Sequence, residues 1–563
     1  MHPALHRWLP FLRWPRPDRS LLWGELMAGL TVGLMVVPQG VAYADLAGMP
    51  LVTGIYASLL PALVAVLFSS SARLSVGPTA LSCLLVGAAL TGLAERGSPE
   101  WVTLAIWLAL LSGAMQLLLG VFRFGWLLSL VSSPVLTGFT QAAAWLILAS
   151  QLPALLGFAH APASLLHPAL PPLDPASAAF GLGALAALAA GKRWFPRFPT
   201  VMVVMAASAA ASAAIGFARG GGSVVGALPS GLPHLALPGA ISWPLLGELL
   251  LPAMVVTLVS FLETASSAKV DNQRGGTRWD ENQDLIGQGL AKIASGLSGA
   301  FPTSASFSRS AINLYAGARS AWATVFSVGV IVLALLWLMP ALRHVPQAVL
   351  AAVVVAAITG LIRPSVLPQL WRVSRVEATI GLATFAITLA TAPRLYWGVV
   401  AGLLMSFAHF LYQRMHPRII ELGLHADGGL RDRHLWDLPL LARGTLALRM
   451  DAALDFASAA SFERAVMDRL MADPGVRTVY LAAAGINRVD ATGAEVFAGL
   501  RAQLAARGVR LLVSGMKLPV EQVLRRAGAL EPGPLLQLHR TEGQALAALA
   551  SAESQELPYW PQI

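Results

Sequence analysis

The chain has 563 residues, of which 56% are apolar and only 12% charged, about half the ~25% charged share of a soluble globular protein, so a soluble multidomain reading is excluded. The net charge is +10, but the surplus is strewn between apolar runs rather than gathered in a patch, which removes nucleic acid as an expected partner. A single cysteine, Cys83, rules out an internal disulfide and a cysteine metal cluster.

In chain order, residues 1–20 form a basic segment with Arg7, Arg13, Arg16 and Arg19. The apolar run that begins near Leu21 is longer than a signal-peptide core and has no small-residue cleavage site, so no cleaved signal is expected. Residues 21–413 read as a membrane domain. A spanning helix needs about 20 mostly apolar residues, and no Asp, Glu, Lys or Arg interrupts the stretch from Phe124 to Leu173. Fourteen spans are expected: 24–43, 53–69, 78–92, 101–121, 126–149, 176–191, 199–217, 244–268, 281–299, 304–317, 320–340, 345–361, 376–392 and 395–413. With both termini cytoplasmic, inner segments through Arg418 carry eighteen Lys and Arg residues, whereas the outer ones carry only Arg96, Arg219, Arg343 and Arg394. That is the positive-inside bias.

Spans 78–92 and 304–317 are too short to cross a ~30 Å hydrocarbon core as helices alone, so each needs an extended stretch. One is third in the first set of seven and the other third in the second. Paired interrupted segments at matching positions predict an inverted repeat with a midplane binding site. The first contains Ser75-Val76-Gly77-Pro78-Thr79, the second Pro302-Thr303-Ser304-Ala305-Ser306-Phe307-Ser308-Arg309. Pro, Ser and Thr stand where capping residues belong. A helix N-terminus carries unpaired N–H groups and about half a positive charge, so two facing tips would favour an anion, with Arg309 adding a full charge. An ordinary Pro/Ser kink with a snorkelling Arg309 is the competing account.

Glu263 is an intramembrane carboxylate, costly unless neutralised or paired. Two roles are open to it: proton carrier, or static ion-pair partner of Arg309 or Lys292. Beyond the membrane pattern, residues 414–443 read as a polar linker. Residues 444–550 read as a small α/β domain, with strands at 445–450, 476–482 and 509–514 and helices at 458–472, 493–507 and 519–527. Residues 551–563 read as a tail. No metal-ligand spacing or Walker A motif occurs, so an enzyme is not expected.

The run Val37-Pro38-Gln39-Gly40-Val41-Ala42-Tyr43-Ala44-Asp45 strongly resembles the first-helix signature of the SulP anion transporters. Ser75–Ala80, Glu263-Thr264-Ala265-Ser266-Ser267-Ala268-Lys269 and Phe307-Ser308-Arg309-Ser310 are similar to the family's third, eighth and tenth helices, and the C-terminal domain is similar to the STAS type. The resemblance, over about residues 20–545, implies an α-helical polytopic membrane protein with a 7+7 inverted repeat and a cytoplasmic STAS domain. Helices 1–4 and 8–11 would form a core that moves like an elevator against a gate of 5–7 and 12–14, in a homodimer. It implies transport of a small inorganic anion, with sulfate foremost, across a bacterial inner membrane. Bicarbonate, chloride or nitrate, dicarboxylate and anion sensing are the alternatives. Carried over by motif, Gln39, Tyr43, Thr79, Phe307, Ser308 and Arg309 would bind the anion, and Glu263 would couple it to H+, with Na+ the alternative coupling ion. No cofactor is implied. Gln39 and Tyr43 are i and i+4, on one helical face, which also suits plain helix packing. Lys292 stands where a neutral polar residue is expected. In Asp490-Ala491-Thr492-Gly493, Thr492 matches a phosphorylatable position, although a plain helix N-cap at Asp490 or Thr492 is the favoured account of the motif. The STAS domain is expected to bind a cytosolic regulatory protein or a nucleotide.

Overall fold

The computed structural model describes residues 9–15, 17–158, 173–195, 199–235, 237–275 and 278–556. The first eight residues of the expected N-terminal segment and the last seven of the tail lie outside them. The described residues divide into two units, up to Ser406 and from Phe407.

Each of the fourteen expected spans overlaps a helix or a strand–helix pair, the second and eleventh being broken into more than one helical segment. The first half comprises α1 (Arg19–Ala47), α2 (Thr53–Tyr56), α3 (Leu60–Phe68), β1 (Val76–Gly77), α4 (Ala80–Leu90), α5 (Pro99–Val121), α6 (Ser133–Leu156), α7 (Pro175–Trp194) and α8 (Thr200–Ala214). The second comprises α9 (Trp243–Gly275), α10 (Glu281–Leu297), β2 (Ser304–Ala305), α11 (Phe307–Tyr315), α12 (Trp322–Leu333), α13 (Gln347–Ile358), α14 (Val366–Val373), α15 (Arg375–Ala390) and α16 (Tyr396–Met415). Among the described residues, five helices are long and apolar enough to cross a bilayer unaided, beginning at Arg19, Pro99, Ser133, Trp243 and Trp322.

Three expectations are corrected. The second span is two helices, since Pro61 opens α3 in its first turn and cannot continue the ladder from α2. The fifth span starts at Ser133, because Phe124–Leu130 is a 3-10 turn and Pro134 marks the true helix start. The eleventh contains a π-helical segment, Ala334–Leu338, before a last turn at Met339–Leu342. A short exposed helix, α14, was not expected at all; its residues are nowhere fully buried.

Packing sorts the helices into two groups. α10 packs on α5 and α3, and α12 on α1; separately, α15 and α13 pack on α6, and α13 on α7. These are the expected core and gate sets. Contact of α12 with α1 is mirrored by that of α9 with α5, as an inverted repeat requires. Small residues let backbones touch. A methyl on Gly54 would lie 1.9 Å from the Gly40 carbonyl, and one on Gly138 would lie 2.1 Å from that of Gly381. Glu25, fully buried in α1, accepts from the backbone N–H groups of Arg319, Ser320 and Ala323 at 2.8, 2.8 and 2.9 Å and so caps α12.

The second unit holds a six-stranded sheet in the order β4-β3-β5-β6-β7-β8, comprising β3 (Ile419–Leu424), β4 (Leu430–Asp432), β5 (Thr445–Met450), β6 (Thr478–Ala482), β7 (Arg510–Ser514) and β8 (Leu536–His539). β5 to β8 run parallel, and β3 is antiparallel to both β4 and β5. Helices α17 (Ala459–Ala472), α18 (Ala491–Ala506), α19 (Leu518–Arg526) and α20 (Glu542–Glu556) complete the domain. The stretch 414–443 is therefore not a mere linker. Ile420 and Leu422 of β3 are buried against Tyr480 and Leu512, so this hairpin belongs to the domain core. The helix α20 likewise takes up the beginning of the expected tail.

Candidate anion site

The strands β1 and β2 are only two residues each, yet they fix the geometry. They pair antiparallel, Val76 opposite Ala305 and Gly77 opposite Ser304. The Ser306 N–H donates to the Ser75 carbonyl at 2.9 Å, and the Ser75 N–H to Ser310 Oγ at 3.0 Å. Each strand leads directly into a short helix, so the N-termini of α4 and α11 come together. Thr79 caps α4, its Oγ1 accepting from the Ser82 N–H at 3.2 Å; Ser306 caps α11 by accepting from the Arg309 N–H at 3.4 Å. The two short expected spans are thus the extended-then-helical segments anticipated.

Arg309 ties the two tips together. Its Nε donates to Ser75 Oγ at 3.3 Å and its Nη1 to the Pro78 carbonyl at 2.8 Å. Among the described residues, Nη2 is buried without a hydrogen-bond partner, as are Thr303 Oγ1 and Gln39 Oε1. A methyl on Gly77 would sit 3.3 Å from that Nη2, so glycine gives the guanidinium room. With a residue only 2% exposed, snorkelling is excluded as the account of Arg309.

Glu263, on α9, faces the same tips. Its Oε2 accepts from Thr79 Oγ1 at 3.1 Å and Ser82 Oγ at 3.5 Å. Arg309 and Lys292 lie within charge–charge range, as do Tyr43 and Cys83. Among the described residues Glu263 forms no salt bridge; its direct partners are hydroxyls. Lys292 instead donates to Gln116 Oε1 on α5 and to Ser260 Oγ, the latter at 2.7 Å.

A cavity of about 180 Å³ opens beside the tips. Gln39 and Ser308 line it from the core helices, and Lys192, Thr200, Val353 and Ala357 from the gate helices. The structure therefore splits the expected site residues. Gln39 and Ser308 border the cavity. Tyr43, Thr79, Arg309 and Glu263 are buried behind it, and Phe307 stands half exposed at the start of α11. Lys192 and Thr200 were not anticipated, because they come from gate helices that carry no motif; Lys192 offered only its place as a cation ending a span.

In the second unit, Asp490 is the N-cap of α18. Its Oδ1 accepts from the Gly493 N–H at 2.8 Å and its Oδ2 from the Phe456 N–H at 3.0 Å. Burial alone would raise its carboxyl, but these two N–H groups and the nearby Arg488 outweigh that and hold it below the usual range. Thr492 is exposed in the first turn of that helix.

Comparison with known proteins now separates this arrangement from other inverted-repeat membrane folds. Residues 22–384 match the sulfate permease family, and residues 441–545 match the STAS domain. The chain belongs to the sulfate permease family. It is 31% identical over 549 residues to "Probable sulfate transporter 4.2" of Arabidopsis thaliana, covering 93% of this chain and 80% of that protein. It is 31% identical over 529 residues to "Probable sulfate transporter MT1781" of Mycobacterium tuberculosis, covering 91% and 93%. In fold it is similar to murine solute carrier 26 family member A9, an anion transporter solved in the inward-facing state, with TM-score 0.88, 22% identity and coverage of 98% and 95%. The family fold is the fourteen-span inverted repeat with a C-terminal STAS domain, as expected from the sequence.

Proposed function

We propose that this permease is a secondary transporter of small oxyanions, sulfate foremost, that works by proton symport in a bacterial inner membrane. The observation that carries the reading is the β1–β2 pairing, which brings two helix N-termini together with the Arg309 guanidinium, directly behind a cavity that Gln39 and Ser308 border. N–H groups, capping hydroxyls and one fixed cation suit an oxyanion rather than a cation or an apolar solute. The names of its sulfate-transporter relatives support sulfate within that class.

The anion enters the cavity between core and gate and displaces water from Gln39 and Ser308. It takes hydrogen bonds from the α4 and α11 tips and from Arg309 Nη2, which has no partner among the described residues. The Gln39 amide can present its NH2 to the anion by a simple flip. Glu263 is the proton carrier. As a carboxylate beside the tips it repels an oxyanion; as a neutral acid it does not, so anion and proton load together. The core then carries both past the gate in an elevator-like step, in a homodimer with cytoplasmic termini. The STAS domain takes a cytosolic regulatory protein or nucleotide, and Thr492, exposed beside a helix N-terminus, is its phosphorylation site.

The test is flux into proteoliposomes of sulfate, bicarbonate, chloride, nitrate and fumarate, each with and without an inward proton gradient. Sulfate uptake should rise several-fold with the gradient, and Glu263→Gln should lose that rise while still binding sulfate. Proton-stimulated uptake persisting in Glu263→Gln would remove Glu263 as carrier. Binding without flux for every anion would instead mark an anion receptor.

A further inference from the structure

Lys292 lies in the membrane core with no exposed surface, on α10, where burying an ammonium is expensive. It is held by oxygen atoms from two other helices, Gln116 Oε1 on α5 and Ser260 Oγ on α9. Ser260 is one turn before Glu263, on the same face of α9. The Ser260 carbonyl also accepts from Ser304 Oγ of β2 at 3.3 Å, which joins this cluster to the tip strands. The charged and titratable groups around Glu263 are then Lys292 from α10, Arg309 from α11, Tyr43 from α1 and Cys83 from α4. Arg309 is committed to Ser75 and Pro78 at the tips. Lys292 is the cation that no tip hydrogen bond uses.

Carboxylate, hydroxyl and amide oxygens are the ligands of a hard cation. Here Glu263, Thr79 and Ser82 supply them at the α4 tip, and Ser260 and Gln116 supply them one helical turn away around the Lys292 ammonium, so the positive charge beside the carboxylate is covalently attached. We propose that Lys292 is a tethered counter-cation that fills the role a free sodium ion would otherwise take beside Glu263, and so makes coupling sodium-independent. The inference rests on the reading of Glu263 as proton carrier and adds what keeps other cations from that site. An ammonium at this place is tied to α10 and cannot leave with the transported anion as a free ion would. Replacing Lys292 by an uncharged residue leaves the oxygen cluster and its carboxylate with no resident cation.

The experiment is sulfate flux at a fixed proton gradient with sodium or potassium as the only added cation, in wild type, Lys292→Ala, Lys292→Met and Lys292→Arg, with sodium-22 binding to each purified protein. Wild type and Lys292→Arg should change less than about twofold between the two salts and bind no sodium. Lys292→Ala should become at least about fivefold sodium-stimulated and bind sodium, and Glu263→Gln on that background should abolish the binding. Lys292→Met, close in volume to lysine, replaces the Ala variant if thermal unfolding shows that the latter is not folded. Sodium stimulation of the wild type, or folded uncharged variants that neither bind nor respond to sodium, overturns the proposal. The two readings fail separately. Glu263→Gln that loses proton stimulation beside an unresponsive Lys292→Ala sinks only the tethered-cation idea, whereas Glu263→Gln that keeps proton stimulation sinks the carrier role itself.

Discussion

Replacing Arg309 by alanine tests the anion site most directly. The guanidinium makes two hydrogen bonds within the protein, to Ser75 Oγ and the Pro78 carbonyl, and leaves Nη2 buried without one. On the proposed reading, an oxyanion that passes from the cavity to the helix tips would gain one or two charge-assisted hydrogen bonds from Nη2. Such bonds contribute about 1.5–3 kcal/mol each. Loss of one, at about 1.4 kcal/mol per decade of affinity, weakens binding roughly 10- to 150-fold. The substitution also strips the Pro78 carbonyl of its donor at the α4 tip, which pushes the result toward the upper figure. Lysine at this position keeps the charge but lacks the planar fork needed to reach Ser75 and Pro78 together, so it should fall between wild type and alanine. Isothermal titration of sulfate into purified protein reads both variants. An affinity within twofold of wild type for Arg309→Ala, with the protein folded, would refute a direct role for this cation.

Two further predictions concern what holds the scaffold. Glu25→Ala leaves three buried backbone N–H groups at the start of α12 without an acceptor; at about 1 kcal/mol or more each, the transporter should lose roughly 3 kcal/mol, and an unchanged thermal unfolding temperature in detergent would count against the cap. In the C-terminal domain, Asp490→Ala removes the N-cap of α18, worth about 1 kcal/mol, so the Gly493 amide should exchange with deuterium roughly fivefold faster. Because the Asp490 carboxyl is held below its unfolded value, its contribution is present at neutral pH and lost as pH falls through the folded value. The difference between wild type and Asp490→Ala should thus shrink below about pH 4, whereas a pH-independent gap would mean that the charge is irrelevant.

How much was legible depended on whether a feature carried local chemistry. The two short spans were readable because helix starts announce themselves through Pro78 and Thr79 and through Ser306. The pairing of β1 with β2 was not, since two-residue strands have no period to detect. Phe124 to Leu173 contains no charge, so charge spacing could not position α6, although Pro134 marks its start. The hairpin of β3 and β4 hid in a stretch with Gly423, Gly428 and Gly429, where turn residues outvoted the alternation of Ile420 and Leu422. Motif resemblance singled out Gln39 and Ser308, which do border the cavity, but could not say that Arg309 and Thr79 sit behind it. The partner of Lys292 was beyond any local reading, as Gln116 is 176 residues away.

One hydroxyl joins the two functions assigned to the core. Thr79 Oγ1 accepts the Ser82 N–H that caps α4 and also lies 3.1 Å from Glu263 Oε2. While Glu263 is ionised it can only accept, so the Thr79 O–H points at the carboxylate and the tip presents an oxygen lone pair to Ser82. Once Glu263 is protonated, its own O–H can donate to Thr79, and the Thr79 proton is released from the carboxylate, with Ser82 Oγ at 3.1 Å or an anion at the tip as its acceptor. On the proposed reading, the proton therefore does two things at once. It removes a negative charge next to the anion, and it converts the capping hydroxyl from a donor spent on Glu263 into one available to the oxyanion. Both effects act on the loaded state in the same direction, and neither needs the backbone of the paired strands to move. Coupling would then be built into the hydrogen-bond directions at the α4 tip, and the elevator step need only carry a site whose two occupants already favour each other.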